Sequence, residues 1–267
     1  MNDKYKVDED GKAIIPDGTT IIDGFSYNES LISIVIPDGV TEIYSGAFEH
    51  CWSLESISIP NSVIKMGTHV FHGCTSLREI VLPCGITKLD IWLFQDCRSL
   101  ESIVIPESVT EICFGAFMGC RSLREMVIPN SVTKIDDCVF HRCTSLEEIV
   151  LPCGITKLEE SLFQDCWSLE SIDIPNSVTE ICSEAFKDCR SLSMIEIPRN
   201  VTKIGCEAFS GCTSLSSIWC AVENLDDFII DKSTFEGVDV DKCILRVPSI
   251  AVSAYKSHPV WGKFEIF

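Results

Sequence analysis

Leu100-Glu101-Ser102-Ile103-Val104-Ile105-Pro106-Glu107-Ser108-Val109-Thr110-Glu111-Ile112-Cys113-Phe114-Gly115-Ala116-Phe117-Met118-Gly119-Cys120 is the stretch that decides the fold. Ile103-Val104-Ile105 alternates with period 2 and is β-branched throughout, which reads as a short strand with Ile103 and Ile105 inward and Val104 outward. Pro106 cannot donate to a ladder, so it ends the strand and opens a turn. Val109 and Ile112 point inward again from a second extended piece. Ala116 and Phe117 fill the widest part, and Cys120 closes a coil before Ser122-Leu123 begins the next.

The same unit recurs along most of the chain. From Pro37 to Pro198, from Phe48 to Phe209 and from Cys51 to Cys212, each residue type returns at every 23rd position. Three residue types held to one period mean a stack of equivalent supersecondary units. A unit of this size buries too little surface to offset its conformational entropy, so stacking must supply the missing burial. The expected architecture is a repeat solenoid, mainly β and right-handed, with a 23-residue period, short parallel strands on a concave face and about ten coils, roughly 45–50 Å long at strand spacing. A solenoid has no single pocketed core, so its function is expected on an extended surface.

The pattern Cys-x-x-Leu-x-x-Ile-x-Ile-Pro-x-x-Val-x-x-Ile-x-x-x-x-Phe-x-x-Cys, running from about residue 28 to 219, resembles the BspA-like, or Treponema-pallidum-type, leucine-rich repeat. Leu245-Arg246-Val247-Pro248, Ala254-Tyr255-Lys256 and Trp261-Gly262-Lys263-Phe264 look like the ending common in that family. The resemblance implies a curved solenoid, often displayed on bacterial or protist surfaces as a binding or adhesion module.

One continuous structural domain is expected: residues 1–27 as an N-terminal capping coil, 28–219 as the repeats, and 220–267 as a divergent last coil and cap. Ile14-Ile15-Pro16-Asp17-Gly18 imitates a strand end 21 residues before Pro37, and Ile218-Trp219-Cys220 lacks the proline. Atypical end units are expected because solenoid ends expose strand edges and core. Tyr255, Trp261 and Phe264 read as lids over the last coil. A longer period is also present: Cys84-Gly85-Ile86-Thr87-Lys88-Leu89 returns as Cys153-Gly154-Ile155-Thr156-Lys157-Leu158, three repeats later.

The formal net charge of -19 argues against nucleic acid, because such a field repels phosphate backbones and anionic headgroups. No run approaches 18 apolar residues, so no membrane insertion is expected. Met1-Asn2-Asp3-Lys4-Tyr5-Lys6 lacks the apolar run of a signal peptide, so either the chain is not exported or its leader has been removed, and the surface display that the resemblance implies stays open. Of sixteen cysteines, eight belong to the repeat and read as buried small hydrophobes. Stacked equivalents point the same way, a poor geometry for disulfides, so mostly free thiols and a reducing history are expected. For Cys113, Cys138, Cys182, Cys206, Cys220 and Cys243 the pattern leaves pairing open.

Catalysis needs convergent groups, whereas this chain offers repeating ones. No glycine-rich phosphate loop and no Gly-x-Ser-x-Gly elbow occur. His72 and His141 lie three coils apart, roughly 14 Å at strand spacing, too far for one site. In Cys138-Val139-Phe140-His141-Arg142-Cys143, Phe140 and Cys143 are core positions and His141 lies outward, which predicts no shared ion. Glu125 and Glu148 pair two carboxylates without a cleft. The expectation is therefore no enzyme, no metal site and no cofactor.

The outward strand position runs Val35, Ser58, Val81, Val104, Val127, Val150, Asp173, Glu196, Trp219. Val81, Val104, Val127 and Val150 make an apolar stripe of the kind that marks interaction sites, although valine also simply favours strands. With Asp173, Glu196, Trp219, Glu125 and Glu148, this stripe is the expected binding face for a protein partner of unknown identity. The alternative is a surface adhesin for host matrix or carbohydrate, with Trp219 as the sole aromatic platform on that face. Arg78, Glu101, Arg124 and Glu147 alternate in sign and read as self-pairing. The Glu42-Lys65, Lys88-Glu111-Lys134 and Lys157-Glu180-Lys203 ladder reads as a solvated face.

Overall fold

The computed structural model describes residues 5–267, so Met1, Asn2, Asp3 and Lys4, which open the expected capping coil and the leader reading, lie outside the described residues. The chain forms a β-solenoid of about 11 turns with mostly parallel strands and little helix. Each turn contributes one strand of up to four residues after its Leu, a second of two residues after its Val, and a third side made of turns around its Phe.

Register follows the repeat. Ser102–Val104 pairs with Glu79–Val81 residue for residue, and Glu125–Val127 pairs with Glu148–Val150, each 23 positions apart. The short strands do the same, Glu111–Ile112 lying between Lys88–Leu89 and Lys134–Ile135. Within the three-residue strands of this kind the central residue, isoleucine in most and Met126 in Glu125–Val127, is buried and points inward, as at Ile103 in Ser102–Val104. Two places depart from expectation, and at the first no ladder joins Ser102–Val104 to Glu125–Val127 on the next coil. At the second, Ser171–Ile174 carries no ladder pairing, although Ile172 and Ile174 are buried as the repeat requires. Its outward residue is Asp173, a type depleted in strands.

The core is a set of columns. Phe25, Phe48, Phe71, Phe94, Phe117, Phe140, Phe163, Phe186 and Phe209 stack ring on ring, with centroids 5.3–5.7 Å apart and planes within 16° of parallel. Beside them each repeat cysteine directs its thiol to the carbonyl of the preceding coil's phenylalanine. Cys120 Sγ donates to Phe94 O at 3.2 Å and Cys97 Sγ to Phe71 O at 3.0 Å. The column is thus a hydrogen-bonded ladder as well as a small hydrophobe. Phe94 O also accepts the Cys97 amide at 3.0 Å, so both lone pairs of a buried carbonyl are used.

Both ends are closed. Lys6–Val7 folds antiparallel onto Lys12–Ile14, and Tyr5 lies flat on Phe25 at 4.6 Å. At the far end the last coil is longer, placing Phe235 against Phe209 at 5.5 Å. Helix Val252–Ser257 and the turn at Trp261–Lys263 lay Trp261 and Phe264 on Phe235, 5.2 and 5.1 Å away. Tyr255 is fully buried, its hydroxyl 3.0 Å from Val222 O. Tyr255, Trp261 and Phe264 are therefore lids, as their positions predict.

Replacing Phe117 with Ala removes a ring from mid-column and leaves a gap that neighbours on both sides cannot close. The expected cost is about 3–5 kcal/mol in chemical denaturation. A loss below about 1 kcal/mol would show that the ring column does not hold the coils together.

Candidate functional surface

The strand face positions the expected residues as a row. Val81 pairs with Ser58 and Val104, and Val127 pairs with Val150; no ladder joins Val104 to Val127, so the line consists of two paired segments on adjacent coils. Val104 is 81% exposed and Val81 78%, although both belong to strands. Beside them Glu125 and Glu148 are direct ladder partners, both exposed, which sets two carboxylates next to the apolar line. Glu196 pairs with Trp219, and Trp219 in turn with Arg246. Asp173 is exposed between the two runs of pairing. Shallow depressions of about 320 Å³ around Val81 and Val104, and about 280 Å³ around Val150 and Asp173, lie along this row. A larger one, about 420 Å³, opens elsewhere, at Arg199, Thr202, Glu223 and Phe228.

The charged ladders are shallow and solvated. Arg78 to Glu101 and Arg124 to Glu147 each stand at 3.6 Å, all four groups open to water. Contacts of that kind contribute about 0.2–1 kcal/mol each. On the short-strand side Lys65 meets Glu42, and Glu180 takes both Lys157 and Lys203. Lys88 turns instead to Asp90, at 2.9 Å, rather than to Glu111.

All sixteen cysteines are free thiols, including the six whose pairing the pattern left open. Burial pushes the Cys51, Cys143 and Cys212 thiols up to about 12, and those of Cys97, Cys120 and Cys189 well above the ordinary range. A thiol held protonated is neither nucleophile nor metal ligand, so the ladder is chemically silent. Cys84, Cys153 and Cys206 are exposed.

The turn face holds a group that column-by-column reading of the sequence misses. Tyr27, His50, Trp52, His72, His69, Trp92 and Phe114 form a chain of ring contacts, with successive centroids 4.7–5.9 Å apart from Tyr27 through His50 to Phe114. On this face the backbone ladder keeps the register of the strands: the His50 amide donates to His72 O and Phe48 N to Val70 O, just as Ile128 N donates to Val150 O on the strand face. Tyr27 with His50 and His69 with Trp92 are column neighbours 23 apart, whereas His50 with His72 and Trp92 with Phe114 are diagonal contacts 22 apart. Only the run of imidazole and indole residues between positions 50 and 92 hints at it. Burial pushes the His72 imidazole below its ordinary value, with Glu49 opposing the shift.

A β-solenoid of about 11 turns with short, mostly parallel strands in 23-residue register is the architecture of a leucine-rich-repeat protein. The description "BspA type Leucine rich repeat region" matches in six copies across residues 11–124 and 110–241, and the chain belongs to that family. A leucine-rich repeat protein from Bacteroides ovatus is similar in structure, at 26% identity and TM-score 0.72, over 92% of this chain and 69% of that one. The T. pallidum leucine rich repeat protein is similar over 79% of this chain and 86% of its own, at 29% identity and TM-score 0.57. A leucine-rich repeat protein from Eubacterium ventriosum, at 18% identity and TM-score 0.57, shares the fold. Comparison with curated proteins gives no match. Family and fold are those of generally non-catalytic repeat proteins, consistent with a protein-interaction module or a surface protein. Among the described residues no helix is long and apolar enough to cross a membrane.

Alkylation of the native, reduced protein at about pH 8 should label Cys84, Cys153 and Cys206, and label the eight ladder cysteines only after denaturant is added. Rapid native labelling of Cys97 or Cys120 would contradict the buried ladder.

Proposed function

We propose that this protein captures a protein partner on the long-strand face, with Val81, Val104, Val127 and Val150 as the apolar centre. Glu125, Glu148, Asp173 and Glu196 form an acidic surround, and Trp219 stands at the far end of the row. The observation that carries this reading is the exposure of four valines on two in-register strand pairs of neighbouring coils. Contiguous apolar surface with a polar rim is the usual anatomy of an interaction site. The chain's net charge of -19 suits a partner whose own rim is basic.

Carbohydrate capture is the weaker reading on the same face. Trp219 is 39% exposed and is the only aromatic residue in the outward valine line. Sugar recognition by stacking wants a flatter and more aromatic platform than one indole beside Glu196 and Arg246 supplies.

The test is a paired substitution. Val104→Glu with Val127→Glu should abolish capture of whatever the wild type retains on a column. Lys134→Ala, on the short-strand side, should leave it intact. All three proteins should melt within about 3 °C of one another, because surface changes rarely exceed ±0.5 kcal/mol. Capture unaltered in the double variant, or binding to a glycan array that the double variant retains, would overturn the assignment.

A further inference from the structure

We infer that Glu49, His50 and His72 hold a single divalent transition-metal ion, zinc in the first instance, on the turn face near the N-terminal end. The three donor atoms all lie within 4.8 Å of one another. Glu49 Oε1 is 3.2 Å from His72 Nδ1, already the spacing of two ligands on one tetrahedral ion, about 3.3 Å for bonds near 2.0–2.1 Å. The His50 and His72 rings stand 4.7 Å apart, and all three residues are half-buried. The longer separations close by rotation of side chains that still reach solvent.

The seat is built by the fold. The amide of His50 donates to His72 O at 2.7 Å, so the backbones of two adjacent coils are tied at the site itself. His50 sits at φ 54, in a column that is left-handed throughout and holds Tyr27, Asp96, Arg142, Asp165 and Asp188 as well as Gly73, Gly119 and Gly211. Histidine accepts this left-handed conformation less readily than glycine does. Gly73 makes the room: a Cβ there would lie 2.3 Å from His50 Nδ1. Tyr27 and Trp52 flank the His50 ring at 4.8 and 5.9 Å, and His69 is a further imidazole 5.8 Å from His72.

Two imidazoles and one carboxylate make a borderline donor set, suited to zinc, nickel or copper rather than calcium or magnesium. Three protein ligands leave a further position for water or for a group brought by another molecule. The strongly negative field of the chain raises the local concentration of cations. The cluster of Glu111, Cys113 and Asp136 makes a contrast. There Lys134 Nζ already stands 2.6 Å from Glu111 and 2.9 Å from Asp136, filling the cation's place. No lysine or arginine is paired with Glu49 among the described residues.

The experiment is a Zn²⁺ titration of the reduced, chelator-treated full chain by calorimetry, with Co²⁺ absorption as a second readout. One equivalent should bind the folded chain with micromolar or tighter affinity. His72→Gln and His50→Asn should each weaken binding by more than about tenfold. Cys84→Ser with Cys153→Ser and Cys206→Ser should leave it unchanged, and the Co²⁺ complex should lack a thiolate charge-transfer band. Asparagine tolerates the left-handed backbone at position 50, and His72→Gln decides if that variant fails to fold. No binding at about 100 µM Zn²⁺, equal binding in His72→Gln, or loss confined to the thiol variant would each overturn the site.

Discussion

Every coil lies on the next in fixed register, and the molecule depends on that one constraint. It sets Phe94 under Phe117 and Phe117 under Phe140, and it brings each repeat thiol to the phenylalanine carbonyl of the coil before it. Neither contact exists within a single unit. The fold is therefore an accumulation of nearest-neighbour interfaces, in which each coil is stable because two others cover it. The ends need different chemistry for the same reason: Tyr5 covers Phe25, and Trp261 with Phe264 covers Phe235.

That constraint also explains how cysteine is used. A serine in this column would place a strongly hydrated hydroxyl in a dry interior, and alanine would leave a carbonyl lone pair unmet. A thiol is small, apolar enough to bury, and still a weak donor. The consequence is a protein rich in sulfur yet poor in accessible thiolate, because burial holds the ladder thiols protonated. Redox or nucleophilic chemistry has no purchase on these residues.

A rigid rod with three faces separates its tasks. The long-strand face carries the valine line and the acidic rim, the short-strand face carries solvated lysine–glutamate pairs, and the turn face gathers rings and imidazoles. Equivalent positions on one face are about 4.8 Å apart at strand spacing, so each face offers a one-dimensional array in which single substitutions write local chemistry. Glu49, His50 and His72 depart from their columns in this way, and so does the run of valines.

The 23-residue beat of Pro, Phe and Cys determined the solenoid, its columns and the outward placement of Val104 between Ile103 and Ile105, because strand alternation and identical stacking leave one way to bury each unit. It determined equally that the terminal aromatics are lids. The loss of pairing at Ser171–Ile174 and the turning of Lys88 toward Asp90 were decided only in three dimensions, where local competition among neighbours selects partners. So was the meeting of His50 with His72. Tyr27 with His50 and Glu49 with His72 follow the columns of 23, but the diagonal contact of His50 with His72 is set by the turn backbone and by side-chain rotamers, which the columns do not specify.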